Sequence, residues 1–339
     1  MISWKPAASL ARESIIGSMA ASPVPADFEV VDLRAFRGAD LEPLLEEQAA
    51  FWSGRYHWDF GASKDVILRF IDTRSLYGYV LQRGGRVVGY SYFVHESRKA
   101  LIGDLFLTES ERTERAERFL LHNTLHAASL VPGVTRIEGQ LLALSFHPAG
   151  EMVRGRELAV FERSFMLLDD FSGLPAGPAS GSALHYGPWT ERDLDATADL
   201  ICQAYRNHVD SLINDQYRSV TGARRFLFNS TQHPGCGVFL RRAAFAAVEP
   251  AANMLCGICL GSLVKPRVGH ITQLCVAPFA RGQGTGRDLL RRSTQAFRDH
   301  GCEAVSLTVT SSNQEAFRLY ERLGFRVLRR FFAFVAEIA

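Results

Sequence analysis

The residues best suited to chemistry lie in Val276-Ala277-Pro278-Phe279-Ala280-Arg281-Gly282-Gln283-Gly284-Thr285-Gly286. Glycines at 282, 284 and 286 let the backbone turn sharply and approach a ligand closely. The free N–H groups of the helical turn that follows would point at that ligand along the positive end of the dipole. Such a loop holds an anion, and a diphosphate fits it best. It is not G-x-G-x-x-G, which argues against a dinucleotide fold, and no Lys-Ser/Thr pair follows the last glycine, which excludes a nucleotide-hydrolysing loop. A second group stands about thirty residues on, in Asn313-Gln314-Glu315-Ala316-Phe317-Arg318-Leu319-Tyr320. The Tyr320 phenol is suited to protonating a leaving group. Asn313 lies in Ser312-Asn313-Gln314-Glu315, which reads as a capping box, Ser312 bonding the helix start and Glu315 reaching back. On the strand before the loop, His270 has the right kind of pKa for a general base, although a histidine there is more often structural. Gln273 cannot take a proton at neutral pH.

Together these two stretches resemble the GNAT superfamily of N-acetyltransferases. Its coenzyme loop reads Gln/Arg-x-x-Gly-x-Gly/Ala after a Val-x-Pro strand end, and its second helix ends in Leu-Tyr-x-x-x-Gly-Phe, matched here by Leu319-Tyr320 and Gly324-Phe325. The resemblance implies that acetyl-CoA is the co-substrate, its diphosphate on Gln283–Gly286 with Arg281 alongside. Pantetheine would pair with Leu274, Cys275 and Val276 like an added strand, and Asn313 would also touch coenzyme. Tyr320 would protonate the departing thiolate. Many relatives carry a glutamate where this chain has Gln273, so the base is left open between His270 and water ending on Asp210, Asp215 or a residue of the first half. In the superfamily the segment between the first two helices helps form the acceptor pocket, which makes Asp210, Asp215 and Tyr217 acceptor candidates, with Gln273 beside them. Each is as readily a loop or cap residue.

The elements that must position these groups follow from periodicity. Ile271, Leu274, Cys275 and Val276 form an apolar strand that Pro278 ends. Gly286, Leu289, Leu290, Ser293 and Phe297 then share one helix face. The two signatures are far enough apart for a helix, a turn and a parallel strand, as a right-handed crossover requires.

The first half repeats the pattern without the chemistry. Strand Phe28–Leu33, helix Asp40–Phe51 and an aromatic-rich stretch to Phe60 precede a hairpin turning at Gly84-Gly85. Leu101 to Leu121 then lies under His270 to Leu290 without a gap, pairing Ile102 with Ile271, Leu105 with Leu274 and Arg112 with Arg281. Later, Phe161-x-Arg163-x-Phe165 falls on Val327-x-Arg329-x-Phe331. Where the glycines would be, the first half has Thr113, Arg115 and Glu117. It is expected to bind no coenzyme and to shape the cleft of its neighbour, with Trp52, Tyr56, His57 and Trp58 as candidate walls. The alternative is that these aromatics are ordinary core.

The fold class expected is α/β (α+β): two tandem GNAT-like domains, each a mixed, mostly antiparallel sheet flanked by helices. The divisions are an arm at 1–27, a degenerate domain at 28–173, a linker at 174–183 and a catalytic domain at 184–339. A formal charge of +2 on 339 residues gives no nucleic-acid footprint. The six cysteines sit mostly in apolar runs, which fits reduced thiols and a cytoplasmic setting. Cys256-x-x-Cys259 has no second pair, so it reads as core rather than metal site. No apolar run is long enough to cross a bilayer, and the first twenty residues lack a signal-peptide core. The reading is therefore an N-acetyltransferase moving acetyl from acetyl-CoA to a primary amine by direct attack in a ternary complex. The acceptor is a small molecule or peptide, with no nucleic-acid or membrane partner; no pattern specifies an oligomeric state. The rival reading is a non-catalytic acyl-CoA-binding sensor or assembly module.

Overall fold

The structure is a computed structural model, and it describes residues 27–175, 177, 183–233 and 237–338. The arm, most of the linker and Cys236 lie outside those residues. The first half runs β1 (Phe28–Asp32), α1 (Gly38–Tyr56), α2 (Gly61–Asp72), β2 (Tyr77–Arg83), β3 (Arg86–Glu96), β4 (Lys99–Leu107), α3 (Glu114–Leu130) and β5 (Arg136–Leu141). A short hairpin, β6 (Met152–Val153) with β7 (Arg156–Glu157), leads to β8 (Ala159–Leu168). The second half repeats this order: β9 (His185–Pro188), α4 (Leu194–Ala204), α5 (Val209–Ile213), α6 (Val220–Gln232), β10 (Val238–Phe239), β11 (Phe245–Glu249), β12 (Met254–Lys265), β13 (Val268–Val276), α7 (Thr285–Asp299), β14 (Ala304–Thr310), α8 (Gln314–Arg322) and β15 (Arg326–Glu337).

Several expectations are met and several are refined. Gly84 and Gly85 turn the β2–β3 hairpin with φ of 56° and 75°, values open to glycine without strain. The aromatic stretch is shorter than expected because α1 runs on to Tyr56, where His57 closes it in the left-handed region. A second helix, α2, follows, placing Ile67 and Ile71 in the core. A turn at Arg241–Ala243 divides the stretch 237–247 into β10 and the start of β11. The cap of α8 is Asn313 rather than Ser312; its Oδ1 accepts from the Ala316 N–H at 3.2 Å.

Among the described residues every strand except the β6–β7 hairpin belongs to one continuous sheet, in the order β1-β2-β3-β4-β5-β15-β8-β14-β13-β12-β11-β9, with β10 also on β12. All neighbours are antiparallel except β4 with β5 and β13 with β14. The order carries an exchange. β8, the last strand of the first half, pairs with β14 of the second, and β15, the last strand of the chain, pairs with β5 of the first. The two exchanged strands also pair with each other from Arg326↔Leu167 to Val335↔Ala159. Phe165, Met166, Leu167 and Leu168 of β8 are all buried in this setting. At about 1.5–3 kcal/mol for each fully buried side chain of this kind, the exchange is a large part of what joins the halves.

Cys256 and Cys259 are fully buried on β12, but they belong to different cores. Cys256 packs with Ala198 and Leu227 of α4 and α6, and Cys259 with Leu289 and Phe297 of α7. No helix among the described residues is long and apolar enough to cross a membrane.

Candidate active site

β13 and β14 begin as parallel neighbours, paired from Val268↔Ala304 to Ile271↔Leu307. Beyond Ile271 they separate. β12 still holds the other edge of β13, through Leu260↔Gln273 to Gly257↔Val276. The edge of Gln273–Val276 that faces β14 therefore has no ladder partner, and it can accept an extended chain. The glycine loop closes one end of this opening. Gly282 and Gly284 have φ of 72° and 82°, and Gly284 is the N-cap of α7. Gly286 is already helical. A Cβ there would meet Leu319 Cδ2 at 3.5 Å and Val276 Cγ2 at 3.6 Å, so its smallness keeps the opening wide.

The cleft has a volume of about 1090 Å³ and is walled by Leu274, Cys275 and Val276, the loop, the end of α4 and one side of α8. Of the expected coenzyme contacts, Leu274, Cys275, Val276, Arg281, Gly282, Gly284, Thr285, Gly286 and Asn313 all line it. Three of their side chains serve the loop itself. Arg281 donates from Nη2 to the Ala204 carbonyl at 2.8 Å, Gln283 from Nε2 to Phe279 O at 3.0 Å, and Thr285 from Oγ1 to Ala280 O at 3.1 Å. Arg287 and Arg322, not singled out in the sequence, also line the cleft and add positive charge to it.

Tyr320 is the buried residue of α8, its ring tilted 60° to that of Phe325 with centroids 6.1 Å apart. Leu319 beside it is half-buried. In the structure Tyr320 is the deeper of the two, and both line the cleft. Burial holds the phenol's pKa well above its ordinary value, with the charges of Cys259 and Asp210 acting the same way and Arg163 opposing. The hydroxyl thus keeps its proton, as an acid must before it donates.

A polar cluster stands beside it. Gln273 donates from Nε2 to Tyr205 OH at 3.0 Å and accepts from Tyr217 OH at 3.3 Å, and the two tyrosine rings stack at 4.4 Å. Asp210 accepts a short hydrogen bond from Thr310 Oγ1 and lies 3.6 Å from His208 Nδ1. His208, absent from the expected set, caps α5 and lines the cleft; its Nε2 is 3.2 Å from Asn313 Nδ2. Asp215 is turned away, paired with Lys99 of β4 at 2.6 Å.

His270 is corrected. It does not line the cleft: its ring lies between Trp58 and Phe165, with Nδ1 2.8 Å from Ser306 Oγ. Burial, helped by the charge of Arg163, pulls its pKa down to about 3. A ring that stays neutral through the physiological range, with one nitrogen engaged and the site elsewhere, is a packing residue. None of the first half's four candidate aromatics lines the cleft: Tyr56 is fully buried against Phe165, half-buried Trp52 stacks on Phe60, half-buried Trp58 meets His270, and His57 is exposed.

The first half has the same splay, β4 with β5 pairing only to Ile102↔Gly139. Glu117, aligned with Gly286, is buried there and accepts from the Ser145 N–H at 2.9 Å and from its hydroxyl. A carboxylate thus sits in the first turn of α3, where a diphosphate would need to be. Asp104, aligned with Gln273, accepts from Gln48 Nε2, Tyr90 OH and the Leu105 N–H, and burial raises its pKa to about 6. One half keeps an acid at this position and the other keeps the loop.

Comparison with known proteins agrees with this geometry. Residues 209–325 match the Acetyltransferase (GNAT) family. The relatives share short stretches with the chain. GCN5-related N-acetyltransferase 6, chloroplastic, of Arabidopsis thaliana is 32% identical over 90 residues, 26% of this chain and 31% of that protein. N-alpha-acetyltransferase MAK3 of the same plant is 35% identical over 83 residues, 22% of this chain and 44% of its own. A mycothiol acetyltransferase of Thermomonospora curvata is 45% identical over 58 residues, 17% and 20% of the two chains. The match thus spans less than half the length of each. Two solved structures cover both halves. A GCN5-related N-acetyltransferase from Sphaerobacter thermophilus has a TM-score of 0.63 at 18% identity, covering 93% of this chain and 97% of its own. A tandem GNAT protein from the clavulanic acid biosynthesis pathway has a TM-score of 0.58 at 16% identity, covering 92% and 99%. These establish the fold of the described residues as a tandem GNAT arrangement.

Proposed function

We propose that the chain is an acyl-CoA-dependent N-acetyltransferase, active in its GNAT domain, that moves acetyl from acetyl-CoA to a primary amine. The observation that carries this is the splay of β13 from β14, with the glycine loop at one end and the Tyr320 phenol in the same cleft. The amides at the start of α7 bind the diphosphate, with Arg287 alongside. The free edge of Gln273–Val276 pairs with pantetheine, and a strand amide donates to the thioester oxygen as charge develops on it. The amine attacks the thioester carbon, the C–N bond forms and the C–S bond breaks. Tyr320 gives its proton to the thiolate, and the proton lost by the amine leaves through Asp210 and water. Gln273 orients Tyr205 and Tyr217 at the acceptor side.

The test is release of free thiol from acetyl-CoA with a panel of primary amines, beside calorimetry of acetyl-CoA binding. Amine-dependent release that falls in Tyr320→Phe supports transfer. Binding of one acetyl-CoA per chain with no release from any amine would support the sensor reading instead, and Gln273 in place of an acid is what gives that reading its standing.

A further inference from the structure

Thr310, the last residue of β14, stands between two opposite charges. Its hydroxyl donates to Asp210, on α5. Its cross-strand neighbour is Arg163, on the exchanged strand β8. Leu307 and Val309 pack with the α7 core, so Thr308 and Thr310 face the other way, toward α5 and the two stacked tyrosines. Arg163 lies on that same face, because its Nη2 donates to Thr308 Oγ1 at 3.4 Å. It is close enough to Tyr217, Tyr320 and His270 for its charge to bear on all three.

Arg163 differs from three other arginines at the junction of the halves, each of which has a carboxylate. Arg136 has Glu138 and Glu337, Arg326 has Asp169, and Arg330 has Glu162. Among the described residues Arg163 has no carboxylate. Its Nη1 donates to the neutral amide of Gln140, and its Nε–H is buried with no partner. A guanidinium presents a planar fork that matches the two oxygens of a carboxylate or phosphate. A half-buried fork on the same face as Asp210 and Tyr217, bonded only to the neutral groups of Gln140 and Thr308, has the chemistry to receive such a group. Asp210, on the other side of Thr310, supplies the complementary charge for an ammonium.

Resting on the acetyl-transfer reading above, we infer that the acceptor is a primary amine with an anionic group a few bonds away, the amine held toward Asp210 and the anion by Arg163. The anion is a carboxylate or a phosphate. The chemistry at the amine is the transfer already described, and Arg163 acts through binding alone. The first half therefore contributes to the acceptor site through its last strand rather than through its aromatic segment.

The experiment pairs acceptors that differ only in the anion: L-amino acids against their C-terminal amides, and phosphoethanolamine against ethanolamine. Thiol release is measured with the full chain and with Arg163→Met, together with melting temperature and acetyl-CoA affinity. The wild type is expected to favour one anionic member of a pair by at least about 10-fold in kcat/KM. Arg163→Met should remove that preference, mainly through KM, and leave the neutral member and acetyl-CoA affinity within about 2-fold. Which pair shows the preference identifies carboxylate or phosphate. If Arg163→Met does not fold, Arg163→Lys should retain part of the preference, since it keeps the charge and loses the fork. Equal use of charged and neutral amines, or weaker acetyl-CoA binding in the variant, overturns the inference and leaves acetyl transfer standing. Bound acetyl-CoA with no release from any pair overturns acetyl transfer and this inference with it.

Discussion

Tyr320→Phe separates chemistry from binding more cleanly than any other change in this chain. The substitution keeps the ring, and with it the burial of the side chain and the ring contact with Phe325. Only the hydroxyl is lost, so stability should change by no more than about 1 kcal/mol. No contact with the diphosphate loop is removed, and acetyl-CoA should bind as before. If the phenol protonates the thiolate as the C–S bond breaks, kcat should fall by about 10²- to 10⁴-fold, or roughly 3–5 kcal/mol of barrier. The pH profile gives a second reading. Burial raises this phenol's pKa well above the ordinary 10.0, so its proton is retained as pH rises. Tyr320 should therefore add no falling limb to kcat below about pH 10. The assay is thiol release under acetyl-CoA saturation from pH 6 to 10, with a single-turnover measurement to confirm that chemistry limits the rate. Unchanged single-turnover rate in Tyr320→Phe, or a wild-type limb near pH 8 that the variant abolishes, would refute the role.

Gly284→Glu puts a carboxylate and an unfavourable φ of 82° at the N-cap of α7, and calorimetry should show acetyl-CoA binding lost from a wild-type stoichiometry of one per chain. Lys99→Met leaves Glu138 and Asp215 without their shared cation, which should loosen the segment after α5; acceptor KM should rise several-fold while acetyl-CoA affinity holds. Asp104, raised from 3.8 to about 6, keeps its proton in the folded state after the unfolded chain has released its own. Stability should therefore fall as pH rises from about 4 to about 6, by up to about 3 kcal/mol, and melting curves of Asp104→Asn should lack that fall. Residues 184–339 alone lose β8 and with it the partner of β14, so this fragment should be insoluble by itself and soluble when co-expressed with residues 1–183.

The parts of this chain that were legible in its sequence are those whose reasons are local. A glycine at φ 82°, a proline ending a strand and an apolar face on α7 each leave their mark within a few residues. The match of Leu101–Leu121 to His270–Leu290 likewise showed the repeated strand, loop and helix and the loss of glycine at Glu117. α2 was passed over because the aromatic run before it has no helical period, although Ile67 and Ile71 are correctly spaced. The strand exchange left no signal. β8 and β15 carry nearly the same pattern, Phe161-x-Arg163-x-Phe165 and Val327-x-Arg329-x-Phe331, and either would suit either edge. His208 and Arg163 were missed for the same reason. Their partners, Asn313 and Thr308, are 105 and 145 residues away, and only the assembled sheet brings them together.

The exchanged strands also set the order in which this chain can mature. Arg136 on β5 meets Glu337 on β15 across 201 residues. On a ribosome adding about 5–20 residues each second, the edge of β5 waits roughly 10–40 s for its neighbour. Throughout that time the nascent first half carries an open strand flanked by β4 and a hydrophobic core, the kind of edge that recruits strands from other chains. The last dozen residues are thus a closing step for the half made first. A premature stop near residue 325 would spare every residue of the coenzyme loop and Tyr320, and still release a protein with β5 and β8 both left as open edges.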